Sequence, residues 1–197
     1  MKTRWFVLVA MLLTLACRKS EAPAVSTDTA TTSTMMVNET TGTVTGTGST
    51  GGGSSTLTDA EKTFIITAAQ GGMAEVSLGS LAAQKALRAE VKSFGNRMVN
   101  DHGKANDELK ALATNKGLAL PTELSKEQNK AGDNLAKASG KDFDRAYVAA
   151  MVADHEKDVA EFEKAMREVK DPDLQAWVLK TLPTLQEHLR MAKGMAK

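Results

Sequence analysis

The sequence predicts an all-α protein: a four-helix bundle of two helical hairpins joined by a long crossover that contains a short helix. Three observations carry this. Beyond residue 57 the chain is rich in Ala, Leu, Lys, Glu and Met, and its only three prolines there, Pro121, Pro172 and Pro183, leave long helical runs. The two halves of that region align with an offset of 83 residues: Val91-x-x-Phe94 matches Leu174-x-x-Trp177, Phe64 matches Tyr147, Glu75 matches Asp158 and Val76 matches Val159. The copies are joined by residues 117–140, a link able to traverse a bundle about 40 Å tall at about 1.5 Å rise per helical residue.

Each element has its own signal. Thr58 precedes Asp59-Ala60-Glu61 and reads as a helix cap, with Glu61 placed to complete a capping box. The first helix then runs to about Lys85, its inner stripe being Phe64, Ile65, Ala68, Gly72, Val76, Gly79 and Ala82. Gly71-Gly72 within it reads as close helix packing. The second helix covers about Arg88–Asn115 and stops at Gly117, which suits a left-handed C-terminal cap. "GLALPTELS" is a loop, and 125–138 a short helix. The third long helix, about 141–169, buries Val148, Met151, Val159, Phe162 and Met166. "KDPD" ends it and puts Pro172 in the first turn of the fourth, which continues to the C-terminus with a kink expected at Pro183. Two hairpins with one long crossover is the connectivity of ferritin-like bundles.

Residues 1–16 read as a signal peptide, with Lys2 and Arg4 before the apolar run "WFVLVAMLLTLA". That run is shorter than the roughly 20 residues a membrane-spanning helix needs. It ends in "LTLAC", and Leu15-Ala16-Cys17 resembles a bacterial lipobox, although Thr14 stands where Leu is usual. Lipidation at Cys17 is therefore expected. Arg18, rather than Asp, implies the outer membrane, with the domain facing the periplasm. The alternative is cleavage at "APA" (22–24), giving a soluble periplasmic protein. Residues 17–56 form the lipidated cysteine and its tether: from Ser26 to Thr56, 23 of 31 residues are Thr, Ser or Gly, too little apolar surface to offset ordering entropy. Residues 57–197 form one domain.

Charge excludes a class of partner. Of 25 Lys and Arg, four precede residue 57, and of 24 Asp and Glu, three do, leaving 21 of each in the domain. A balanced, interleaved surface exerts no long-range pull on nucleic acid. The one partner implied is the membrane, through the N-terminal lipid. Cys17 is the only cysteine, so disulfides and thiolate ligands are excluded from the domain.

The chain holds three histidines, each directly after an acid: Asp101-His102, Asp154-His155 and Glu187-His188. Periodicity puts them inward. His102 follows Met98 by one turn, His155 lies between Met151 and Val159, and His188 between Leu185 and Ala192; Glu75 lies on the inner stripe of the first helix. All four fall near mid-height, where helices of a crossover bundle can bring them together. One carboxylate and three imidazoles make a candidate metal set, Glu75, His102, His155 and His188, for a divalent metal. Asp101, Asp154, Asp158 and Glu187 are candidates as further ligands or to hold imidazole N–H groups from behind. Met98, Met151 and Met191 stand one turn from the three histidines on their own helices, a pattern that suits Cu(I) better than zinc or iron and that ordinary core filling by methionine also gives. A di-iron centre is disfavoured, because no histidine has Glu three residues before it. No Ser–His–Asp order, phosphate loop or Cys nucleophile points to catalytic residues. The bland alternative is a buried polar network that sets helix register.

The phrases "AAQGGMAEVSLGSLAAQKA", "VKSFGNRMVNDHGKANDELKALA", "FDRAYVAAMVADHEKDVAEFEKA" and "TLPTLQEHLRMAK" resemble the bacterial exported family of domain of unknown function 4142, over about residues 60–195. The resemblance implies a ferritin-like bundle in the outer membrane or periplasm and supplies no activity or cofactor. Glu75, Asp101, His102, Asp154, His155, Glu156 and His188 fall within those phrases. The expected role is a non-enzymatic envelope protein, stress-related or interaction-mediating. The alternative is a protein that binds or buffers a divalent metal or Cu(I).

Overall fold

Helix signals in the sequence are realised to within a residue or two. The computed structural model describes residues 56–197; the leader, Cys17 and the tether lie outside the described residues. Five helices follow one another: α1 Asp59–Lys85, α2 Ala89–Asn115, α3 Lys126–Lys137, α4 Gly140–Glu168 and α5 Pro172–Met195. No strand occurs among the described residues, so this region is all-α. Thr58 caps α1 with the capping box in place. Gly117 adopts φ 69°, and beyond it Leu118 N–H donates to Ala113 O at 2.8 Å, closing the left-handed cap expected there. Asp171 caps α5 by accepting from the Asp173 and Leu174 N–H groups, with Pro172 in the first turn. Pro183 lies inside α5 on its exposed side, and the helix runs through it.

α1 lies along α2 and α4 along α5, while α2 also packs on α5 and α1 on α4. The crossover helix α3 rests on α1 and α4, burying Leu135 and donating from Gln128 Nε2 to Gln70 O at 3.1 Å. Ile65, Leu109, Phe162, Leu174 and Trp177 fill one core cluster; Phe94, Met98, Phe143, Tyr147 and Met151 fill the other. One assignment needs correcting. Met166 is 36 % exposed, and the α4 stripe passes instead through Ala165 and Val169. From Phe162 these are steps of three and seven, which stay on one face at about 100° per residue.

The 83-residue offset is visible in space. Phe64 meets Trp177 edge-on, centroids 6.4 Å apart at 67°, and the equivalent pair, Tyr147 with Phe94, sits at 6.3 Å and 66°. The turns obey it too. Glu61 Oε1 accepts from the N–H groups of Lys170 and Asp171 at 2.8 and 2.9 Å. Its counterpart Asp144 accepts from Leu87 and Arg88 N–H, both at 2.8 Å. Each hairpin thus latches the turn of the other, satisfying N–H groups that a helix start leaves open.

Close packing within the first hairpin depends on two glycines. A Cβ at Gly79 would lie 2.7 Å from Gly95 O, and one at Gly95 would lie 2.6 Å from Gly79 O. Backbone cannot step aside as a side chain can. Gly95→Ala should therefore destabilise by about 1–3 kcal/mol despite alanine's better helix propensity. Gly103, with nothing within 4 Å of its notional Cβ, should gain up to about 1 kcal/mol as Ala. Urea midpoints of the two variants should move in opposite directions; a shared direction would contradict the contact.

Candidate metal centre

Each long helix delivers one member of the candidate metal set to the interior. Glu75 comes from α1, His102 from α2, His155 from α4 and His188 from α5, with exposures of 1, 5, 0 and 0 %. The three rings form a near-equilateral triangle: centroids are 5.6 Å apart for His102–His155, 5.2 Å for His102–His188 and 5.4 Å for His155–His188. One nitrogen from each ring can be chosen so that all three lie within 4.8 Å of one another.

The other hydrogen bonds decide which nitrogens are available. His155 Nδ1 donates to Met151 O at 3.0 Å; a carbonyl only accepts, so Nε2 keeps its lone pair. His188 Nε2 donates to Asp101 Oδ2 at 2.8 Å, leaving Nδ1 bare. His102 Nδ1 meets Glu75 Oε2 at 2.8 Å, and with Glu75 ionised it donates there and leaves Nε2 its lone pair. His102 Nε2, His155 Nε2 and His188 Nδ1 are all buried without a hydrogen-bond partner. One nitrogen held by an oxygen acceptor and the other left bare is how metal-binding imidazoles are oriented.

Protonation favours the same state. Burial pushes all three imidazoles down, His188 to about 4 against the opposing pull of Asp101. They are therefore neutral at pH 7. Burial acts on Asp101 in the opposite direction, yet hydrogen bonds from His188 and Arg97 hold its carboxyl below the ordinary range. Glu75 is pushed up by burial, which outweighs the attraction of His155.

The candidate acids divide into three kinds. Asp101 holds His188 from behind, as expected, and is itself held by Arg97 Nε at 3.2 Å. Asp154 and Asp158 instead gather with Glu75, one oxygen from each lying within 4.8 Å of the others. Glu187 pairs with Arg190 through two 2.7 Å bonds and holds no imidazole. Of the three methionines, Met98 and Met151 are fully buried, whereas the Met191 sulfur meets Arg97 Nη1 at 3.5 Å. Sequence reasoning missed Tyr147, whose buried hydroxyl has no partner and whose pKa is raised by burial and then by Glu75. Its only signal was the match to Phe64, where one ring carries a hydroxyl and the other does not. The Met151 carbonyl had no signal at all, because every residue has one.

A cleft of about 160 Å³ between α2 and α5 includes Asp101, His102 and His188 among its lining residues, together with the exposed Lys180. It connects two of the imidazoles to the surface.

A helical bundle closing on three oriented, buried imidazoles defines a protein with a candidate metal centre. The chain belongs to the family of domain of unknown function DUF4142, which matches residues 47–195. No curated protein matches the chain. Two solved structures share the fold. A DUF305 fragment from Deinococcus radiodurans has a TM-score of 0.64 at 14 % identity, covering 72 % of this chain and 98 % of that one. CopM in its Cu(I)-bound form has a TM-score of 0.58 at 17 % identity, covering 68 % and 92 %. At such identities the likeness is one of fold.

Proposed function

We propose that this chain is a non-enzymatic metal-holding protein of the cell envelope, tethered through Cys17, and that its ion is Cu(I) at His102, His155 and His188. One observation carries the reading: three buried imidazoles stand 5.2–5.6 Å apart, and each keeps one nitrogen without a hydrogen-bond partner while its opposite nitrogen is held or met by oxygen. Neutral imidazoles without thiolate suit copper and zinc. The buried thioethers of Met98 and Met151 one turn away tilt the choice to the softer ion. A related fold that binds Cu(I), in CopM, supports the same choice. Glu75, met by His102 Nδ1, would supply the charge that balances the cation.

The test is retention of Cu(I) by the reduced full chain against a coloured Cu(I) chelator. One equivalent should stay with the protein, and none with the variant carrying Ala at 102, 155 and 188. Asp101→Asn should weaken retention by about 10–100-fold, as loss of the acceptor behind a metal-bound imidazole does. Complete loss of copper to the chelator, or undiminished retention by the triple variant, removes the reading.

A second reading has its own observation. Glu75 Oε1 lies 3.3 Å from His155 Nε2, so a protonated Glu75 would link two imidazoles into a neutral network that sets helix register. On that reading no metal raises the stability of the chain.

A further inference from the structure

The repeat that pairs Glu75 with Asp158 in the sequence also brings them together in the fold. With Asp154 they place one oxygen each within 4.8 Å of the others. This lies across the α1–α4 contact, where α1 supplies one acid and α4 two. No lysine or arginine forms an ion pair with any of the three among the described residues, and Lys157 turns to Glu161 at 3.8 Å. Beside them is a cavity of about 30 Å³, with Glu75, Asp158, Glu161, Asn106 and His102 in its lining, enough for about one water-sized sphere. Two of its lining residues carry a buried atom without a hydrogen-bond partner, Glu75 Oε1 and His102 Nε2. Gly72 keeps this wall open to Asn106, whose Oδ1 would lie 2.1 Å from a Cβ at position 72.

Three carboxylates this close, with no ion-paired lysine or arginine, either hold protons or share a cation. We infer that Glu75, Asp154 and Asp158 form a second cation position, lined by oxygen, which takes a hard divalent ion. Oxygen donors select Mn(II)-like ions, whereas the imidazole triangle selects softer ones. Glu75 stands between the two positions, one oxygen at 2.8 Å from His102 Nδ1 and the other at 3.3 Å from His155 Nε2. The inference is independent of which ion the imidazoles hold.

Mn(II) is the probe, added to the full chain and followed by its electron paramagnetic resonance, which is sharp for the free ion and broad for the bound one. The wild-type chain should bind one equivalent. Asp158→Asn and Asp154→Asn, which keep size and remove charge, should each weaken binding at least tenfold. His188→Ala should leave Mn(II) binding unchanged, and copper retention by Asp158→Asn should match wild type. Mn(II) that stays free, or binds both Asn variants as tightly as wild type, overturns the second position. Displacement of Mn(II) by one equivalent of Cu(I) overturns it too, since the two ions would then share one site. Copper retention is read separately, so failure here and failure of the copper reading are distinct results.

Discussion

Loading the full chain with one equivalent of Cu(I) should raise its melting temperature by about 5–10 °C. An ion present at about 100 times its Kd stabilises the native state by about 2.7 kcal/mol, and about 1 kcal/mol moves the midpoint of a chain this size by about 2–4 °C. The pH dependence carries more information than the size of the shift. In the metal-free chain each depressed imidazole contributes stability that is present above its unfolded value of 6.5 and lost as pH falls toward its folded value, about 4 for His188. Glu75 and Asp158, both pushed up by burial, act in the opposite sense: their contribution is present at low pH and lost as pH rises through their folded values. The copper increment responds to the folded site alone. It should decline gradually below about pH 8, since Glu75 must release its proton to balance the ion, and be lost near about pH 4 as His188 takes up its proton. Calorimetric melts across that range decide the matter. An increment already gone by about pH 6 would mean that ordinary, exposed imidazoles hold the ion.

Glu61→Gln should cost about 2–3 kcal/mol at neutral pH. Burial works against the Glu61 carboxylate, but N–H groups of Asp171, Thr58 and Lys170 lower its pKa from 4.5 to about 2, and each pK unit is worth about 1.4 kcal/mol. Glutamine retains one acceptor oxygen and turns an amide donor toward the other set of N–H groups. Because the folded pKa is depressed, the contribution is fully present above pH 4.5 and lost as pH falls toward about 2. The gap between wild type and variant in urea midpoint should therefore narrow steadily below that pH. A gap that stays constant would show the latch to be neutral hydrogen bonding, without the charge. Asp144→Asn strips the equivalent latch from the other turn, at Leu87 and Arg88, and should lower the urea midpoint in the same direction.

Most of the fold was legible because helix signals are local. Thr58 and Glu61 lie three residues apart, Gly117 needs only its own backbone, and the inner stripes repeat every three or four residues. The weak 83-residue repeat was readable from its aromatic and aliphatic pairs. Its strongest structural expression, the Glu61 and Asp144 latches, was not, because the two residues differ in type and their partners are backbone N–H groups 109 and 57 positions away. Met166 was misplaced for a related reason: a stripe drifts around its helix, and only the neighbouring helices decide which of two adjacent positions they cover.

The sequence by itself determined that four helices would each turn one member of a candidate metal set inward, and it named them: Glu75, His102, His155 and His188. Periodicity fixes the face of a helix to about one residue, and that was sufficient. Only the tertiary structure decided how those groups divide their hydrogen bonds. Which nitrogen of each ring is held, why Asp101 supports an imidazole while Glu187 turns to Arg190, and why Asp154 and Asp158 join Glu75 depend on distances between helices. Such distances arise from packing residues far apart in the chain, and no local pattern encodes them.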